Sequence, residues 1–166
     1  MASTRQRTAT GRGRAAPAGG KTAGAVRLKR AYEPPEAADG YRVLVDRLWP
    51  RGVRKDALAI DVWLKELGPS DELRRWFGHD ASRWEEFASR YRDELRRQSA
   101  AGLADELVAR ARRGTVTLVY GARDELHNQA VVLRDVIEQR LRRPRARGHR
   151  PRRGLASPRQ MPASDG

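Results

Sequence analysis

The chain has 166 residues, a length that suits one domain with tails. Charged residues make up 34% and apolar residues 39%; no aliphatic run is longer than Ala130-Val131-Val132-Leu133, which excludes a membrane span, since a bilayer needs about 20 apolar residues. The formal charge of +14 is unevenly spread, with +5 in residues 1–24, +8 in 140–166 and only +1 in 25–139.

The first stretch, residues 1–24, is rich in Arg, Ala and Gly and lacks acids and aromatics. Such a composition cannot bury enough apolar area to offset chain entropy, so a disordered basic tail is expected. No apolar core region follows its basic residues as a secretory signal would require, and the cytoplasm is the expected location. Val26 to Tyr32 alternates apolar and polar residues, which predicts a half-buried strand. Asp39-Gly40 is a turn, and Tyr41 to Trp49 predicts a second strand. Its consecutive Val43, Leu44 and Val45 suggest burial on both faces, as in a parallel sheet.

Pro50 and Gly52 force a loop. Asp61 to Leu67 reads as a short helix stopped by Gly68-Pro69. Ser70 is a candidate N-cap for the next helix, which buries Leu73, Trp76 and Phe77. In the following helix Trp84, Phe87, Tyr91 and Leu95 share one face, a core stripe. Leu103 to Arg113 predicts another helix, closed by Gly114. Thr115 to Tyr120 is a β-branched third strand, and Asp124 or Glu125 opens a last helix running to about Leu141. The order predicts an α/β fold: a small three-layer domain over residues 25–142, with a short, mostly parallel sheet and flanking helices. Residues 143–166 form the second expected disordered tail, rich in Arg and Pro.

Two loops stand out because each follows the C-terminal end of a buried strand, where ligands bind in open α/β sheets. The first holds Asp46, Arg47, Trp49, Arg51 and Gly52. Arginine's planar fork pairs bidentately with phosphate or carboxylate. Trp49 offers a stacking face, and Gly52 allows close backbone approach to an anion. The structural alternative is a turn in which Arg47 pairs with Asp46 or a helix carboxylate and Trp49 caps the core. The second loop holds Tyr120, Gly121 and Arg123, with Asn128 one turn further on. A strand, a Gly-containing turn and a helix N-terminus can cradle an anion with free N–H groups. The plain alternative is an ordinary strand-to-helix connection, since no nucleotide-loop glycine pattern is present.

The three histidines, His79, His127 and His149, form no metal-binding pair, and with no cysteine thiol chemistry is excluded. No cofactor is implied. The leading reading is a small enzyme or ligand-binding domain. Arg47, Arg51, Arg123 and the loop glycines Gly52 and Gly121 hold an anionic group, Trp49 walls the pocket, and Asp46, Tyr120 and Asn128 orient the ligand or transfer protons. It requires both loops to meet at one pocket. Two rivals are a nucleic-acid-associated protein acting through its arginine tails, with weak nonspecific binding as the milder form, and a protein-interaction module with no catalytic site.

The stretch Lys29 to Pro34, then Asp39-Gly40-Tyr41 through Asp46-Arg47-Leu48-Trp49-Pro50-Arg51-Gly52, resembles the signature of the DUF488 family in its YeaO-like branch. Leu118 to Asp124 with Asn128 and Ala130 is similar to that family's second signature. The resemblance spans about 26–141 and implies a compact bacterial α/β protein. Another branch places a Cys-His-Arg element after the corresponding last strand; this chain has Asn128-Gln129 there and no cysteine.

Overall fold

A computed structural model describes residues 24–144. Four strands, β1 (Val26–Arg30), β2 (Tyr41–Leu44), β3 (Val62–Trp63) and β4 (Val116–Tyr120), form one sheet in the order β1-β4-β2-β3. Every pairing is parallel. β4 lies inside the sheet and all of its residues are buried, as expected for a β-branched run covered on both sides.

Register separates the two faces. Val26, Val43, Val116 and Leu118 point to the main core, with Val45 just beyond β2. Above them pack α3 (Trp84–Leu95), α4 (Gln98–Ala111) and α5 (Gln129–Arg142). The stripe on α3 is core: Phe87, Tyr91 and Leu95 are buried, and Phe87 stacks on Phe77 of α2 (Asp71–Phe77) at 4.2 Å between ring centroids. Small residues on α4, Ala104 and Ala111, let helix and sheet approach closely.

The opposite face is thinner. Leu44 and Val119 meet Leu58 of the one-turn helix α1 (Lys55–Leu58), with Trp49, Val53 and Ile60 around them. Beside this patch lies a buried charge cluster. Asp39 accepts from Lys29 at 3.1 Å and pairs with Arg42, whose guanidinium also donates to the carbonyls of Leu58 and Ala59. Burial opposes the charge on Asp39, but hydrogen bonds from Glu36 N, Lys29 and Arg42 hold its carboxyl below the usual carboxylate range.

The structure departs from the sequence expectations at several boundaries. Residues 61–67, expected to be a helix, form β3 and then a 3-10 turn over Lys65–Leu67. The segment is too short to nucleate a helix unaided, while the open edge of β2 takes its backbone, with Asp61 N donating to Arg42 at 2.9 Å and Leu64 N to Leu44 at 3.0 Å. The last helix starts at Gln129, not at Asp124 or Glu125. The Asp124 carboxylate accepts from the backbone N–H of Leu126 and His127, a local turn that competes with helix formation. β2 ends at Leu44 instead of Trp49, β1 ends at Arg30 instead of Tyr32, and α4 begins earlier, at Gln98. The sheet is wholly parallel, with one strand more than the three expected. The expected tails, residues 1–24 and 143–166, lie almost entirely outside the described residues. No described helix is long and apolar enough to cross a membrane.

Candidate functional site

In a wholly parallel sheet every carboxyl end faces the same edge. Tyr32 follows β1, Asp46 to Arg51 follow β2, Pro69 follows β3 and its 3-10 turn, and Gly121 to Arg123 follow β4. Together they line a cleft of about 560 Å³, within the usual size for a small-molecule site. Arg74, Arg75 and Phe77 of α2, His79 beyond it, Phe87 of α3, and Asn128 and Gln129 at the start of α5 complete the wall.

Of the residues singled out from sequence, Asp46, Arg47, Trp49, Arg51, Gly121, Arg123 and Asn128 line this cleft. Gly52 and Tyr120 do not. Gly52 stands in an exposed turn at φ +73°, and Tyr120 is buried in the main core, where desolvation raises its phenol above the ordinary value. Asn128 is 2% exposed and committed to the helix start: its Oδ1 accepts from Val131 N and its Nδ2 donates to the Asp124 carbonyl at 2.8 Å.

Arg47 does not pair with Asp46 or a helix carboxylate. Its Nε donates to the Pro69 carbonyl at 2.8 Å and its Nη2 to that of Gly68 at 3.2 Å, tying the β2 and β3 loops together. Trp49 donates to the Val53 carbonyl at 2.7 Å and meets Trp63 edge to face. Its ring walls both the cleft and the smaller core. Trp63 in turn donates to the Asp46 carbonyl oxygen at 2.7 Å.

Asp46 is the one acid lining the cleft among the described residues. Gly121 N donates to its Oδ2 at 2.8 Å, and the Gln129 amide donates to its Oδ1. It has no cationic partner among the described residues. Burial pushes its carboxyl up to about 6, against the opposing pull of those two hydrogen bonds.

Five arginines line the same cleft among the described residues: Arg47, Arg51, Arg74, Arg75 and Arg123. Arg74 pairs with Asp71, while its Nε is buried without a partner. Among the described residues the other four have no carboxylate partner.

Sequence reasoning missed Arg74, Arg75 and Tyr32 as cleft residues, and it named His79 and Gln129 without assigning them to the site. Reading 61–67 as a helix hid the strand whose carboxyl end leads into α2, and with it the two arginines. The adjacent arginines ahead of a helix stop were the available signal. No group of three or more His, Asp or Glu side chains able to hold a metal ion occurs among the described residues.

A family profile described as "Inactive DUF488-N3 subclade" matches residues 25–156. The chain belongs to the DUF488 family. An uncharacterized protein of Mycobacterium tuberculosis is 44% identical over 115 residues, covering 69% of this chain and 95% of that protein. Uncharacterized protein YeaO of Escherichia coli is 43% identical over 110 residues, covering 66% of this chain and 94% of its own length. No solved structure gives a significant match.

Proposed function

We propose that this DUF488 domain is a cytoplasmic ligand-binding protein whose cleft holds a small phosphate- or carboxylate-bearing molecule, and that it binds without turning the molecule over. The observation that carries this reading is the set of guanidinium groups gathered at the carboxyl edge of a parallel sheet, four of which have no carboxylate partner among the described residues. Arg51, Arg75 and Arg123 reach the cleft from three different segments. Arg47 and Arg74 are partly committed to the protein and shape the wall. Trp49 and Phe77 supply the apolar surface on which the uncharged part of a ligand rests.

Two features favour binding over catalysis. The subclade carries the description "inactive". In addition, the cleft places a single carboxylate among its arginines, and the nearby Asn128 is occupied with capping α5.

Isothermal titration of the full chain with inorganic phosphate tests the reading. Saturable binding at one site is expected, and replacing Arg51 or Arg123 with alanine lowers the affinity about ten- to a hundredfold, the worth of one charge-assisted hydrogen bond. Binding that is absent, or indifferent to both substitutions, refutes it.

A further inference from the structure

Asp46 is out of place in a cleft built for an anion. A fixed carboxylate repels a negatively charged guest, and like charges brought together cost affinity. Yet the fold holds it there with care. Gly121 N and the Gln129 amide each take one of its oxygens, and its backbone carbonyl is fixed by Trp63. Gly121 makes the approach possible, because a Cβ at that position would lie 2.9 Å from Asp46 Oδ2. A carboxylate has about four acceptor positions, so after these two bonds each oxygen keeps unused acceptor capacity. None of it is used by a cation among the described residues.

The remaining wall narrows the guest further. Three arginines without acid partners, Arg51, Arg75 and Arg123, offer more donors than the two oxygens of a carboxylate can accept, and suit the three terminal oxygens of a phosphate ester. The cleft is also larger than a bare phosphate, with Trp49, Pro50, Phe77 and Phe87 lining it. That space calls for an organic body.

We propose that the guest is a phosphate ester whose organic part carries hydrogen-bond donors, such as hydroxyl groups, with the arginines holding the phosphate and Asp46 accepting from the organic part. This rests on the reading of the cleft as an anion site and adds to it a specificity determinant. A buried acceptor that meets a donor on the right guest is left unpaired by an analogue lacking that donor, so Asp46 discriminates between the two.

The test compares glycerol 3-phosphate, propyl phosphate and inorganic phosphate by calorimetric titration of the full chain at pH 7.5. The expected result is that glycerol 3-phosphate binds at least about tenfold more tightly than propyl phosphate. In Asp46→Asn that preference falls to about threefold or less, while inorganic phosphate binds as well as before or better, because a repelling charge has gone. Equal affinity for the two esters in the unaltered chain overturns the inference, as does a preference that survives in Asp46→Asn. In both cases phosphate binding still supports the anion site. Failure of all three probes to bind overturns the inference and the anion site together.

Discussion

Asp46 and Gly121 form a single unit that can be probed from either side. The folded-state pKa of Asp46, about 6, lies above the ordinary carboxylate value of 3.8, so between those limits the folded protein binds more protons than the unfolded chain. Stability contributed by this group is therefore greatest below pH 4, falls as pH rises through the window, and stays reduced above it. Asp46→Asn removes the desolvated charge, and at pH 7 it is expected to stabilise the protein by on the order of 1–3 kcal/mol, a gain that vanishes near pH 4. Urea unfolding at the two pH values measures this; a variant less stable than the parent at pH 7 contradicts it. Gly121→Ala acts through the same carboxylate. The new methyl group displaces Asp46 from its backbone donor, with an expected loss of about 1–3 kcal/mol. Gly52 provides the contrast. A Cβ there meets nothing within 4 Å, so Gly52→Ala bears only the left-handed backbone penalty of about 1–2 kcal/mol and leaves ligand affinity intact.

Among the elements, α5 depends on Asn128 for its start, and the same side chain closes the loop that carries Arg123. Asn128→Ala is expected to cost about 1–2 kcal/mol in stability through the lost cap. It also frees the 121–128 loop, so phosphate affinity falls with stability, whereas a cap with no link to the cleft would change stability alone. Thermal unfolding and titration on one preparation separate the two. On the other face of the sheet, Asp39 ties β1 to β2 through Lys29 and Arg42. Its lowered pKa means that its contribution is present above about pH 4 and is lost as pH falls through the folded-state value. Asp39→Asn leaves the buried Arg42 without a carboxylate partner and Lys29 with only the more exposed Glu36, and is expected to destabilise the domain by about 3–5 kcal/mol. A smaller loss would mean that water reaches the cluster.

At the scale of the molecule, the wholly parallel topology does the assembling. It sends the end of every strand to one edge, and segments far apart in the chain supply the wall there. The charge-rich ends, residues 1–23 and 145–166, fall outside the described residues, and they separate the two binding modes experimentally. A chain trimmed to residues 24–144 is expected to keep its phosphate affinity and to lose any salt-sensitive attraction to DNA, as a filter-binding titration over a range of salt would show. Full DNA binding by the trimmed chain would relocate that attraction to the folded surface.

Much of this architecture is legible in local pattern. The runs Val43-Leu44-Val45 and Thr115 to Tyr120 announce buried strands, and the spacing of Trp84, Phe87, Tyr91 and Leu95 announces a core-facing helix, because burial imposes a pattern that the order of residues alone reveals. The loops after β2 and β4 were identifiable for the same reason, as breaks at the ends of such runs. Three things were settled only by packing. Residues 62–63 became a strand because β2 had an unpaired edge, a fact about a neighbour nineteen residues away. Arg74 and Arg75 joined the cleft because that strand's end leads into α2. The carboxyl group of Asp46 became a desolvated acceptor because Gly121 and Gln129, some eighty residues later, close over it. Hydrophobic period is a property of neighbours along the chain, while pairing edges, converging loops and desolvation belong to neighbours in space.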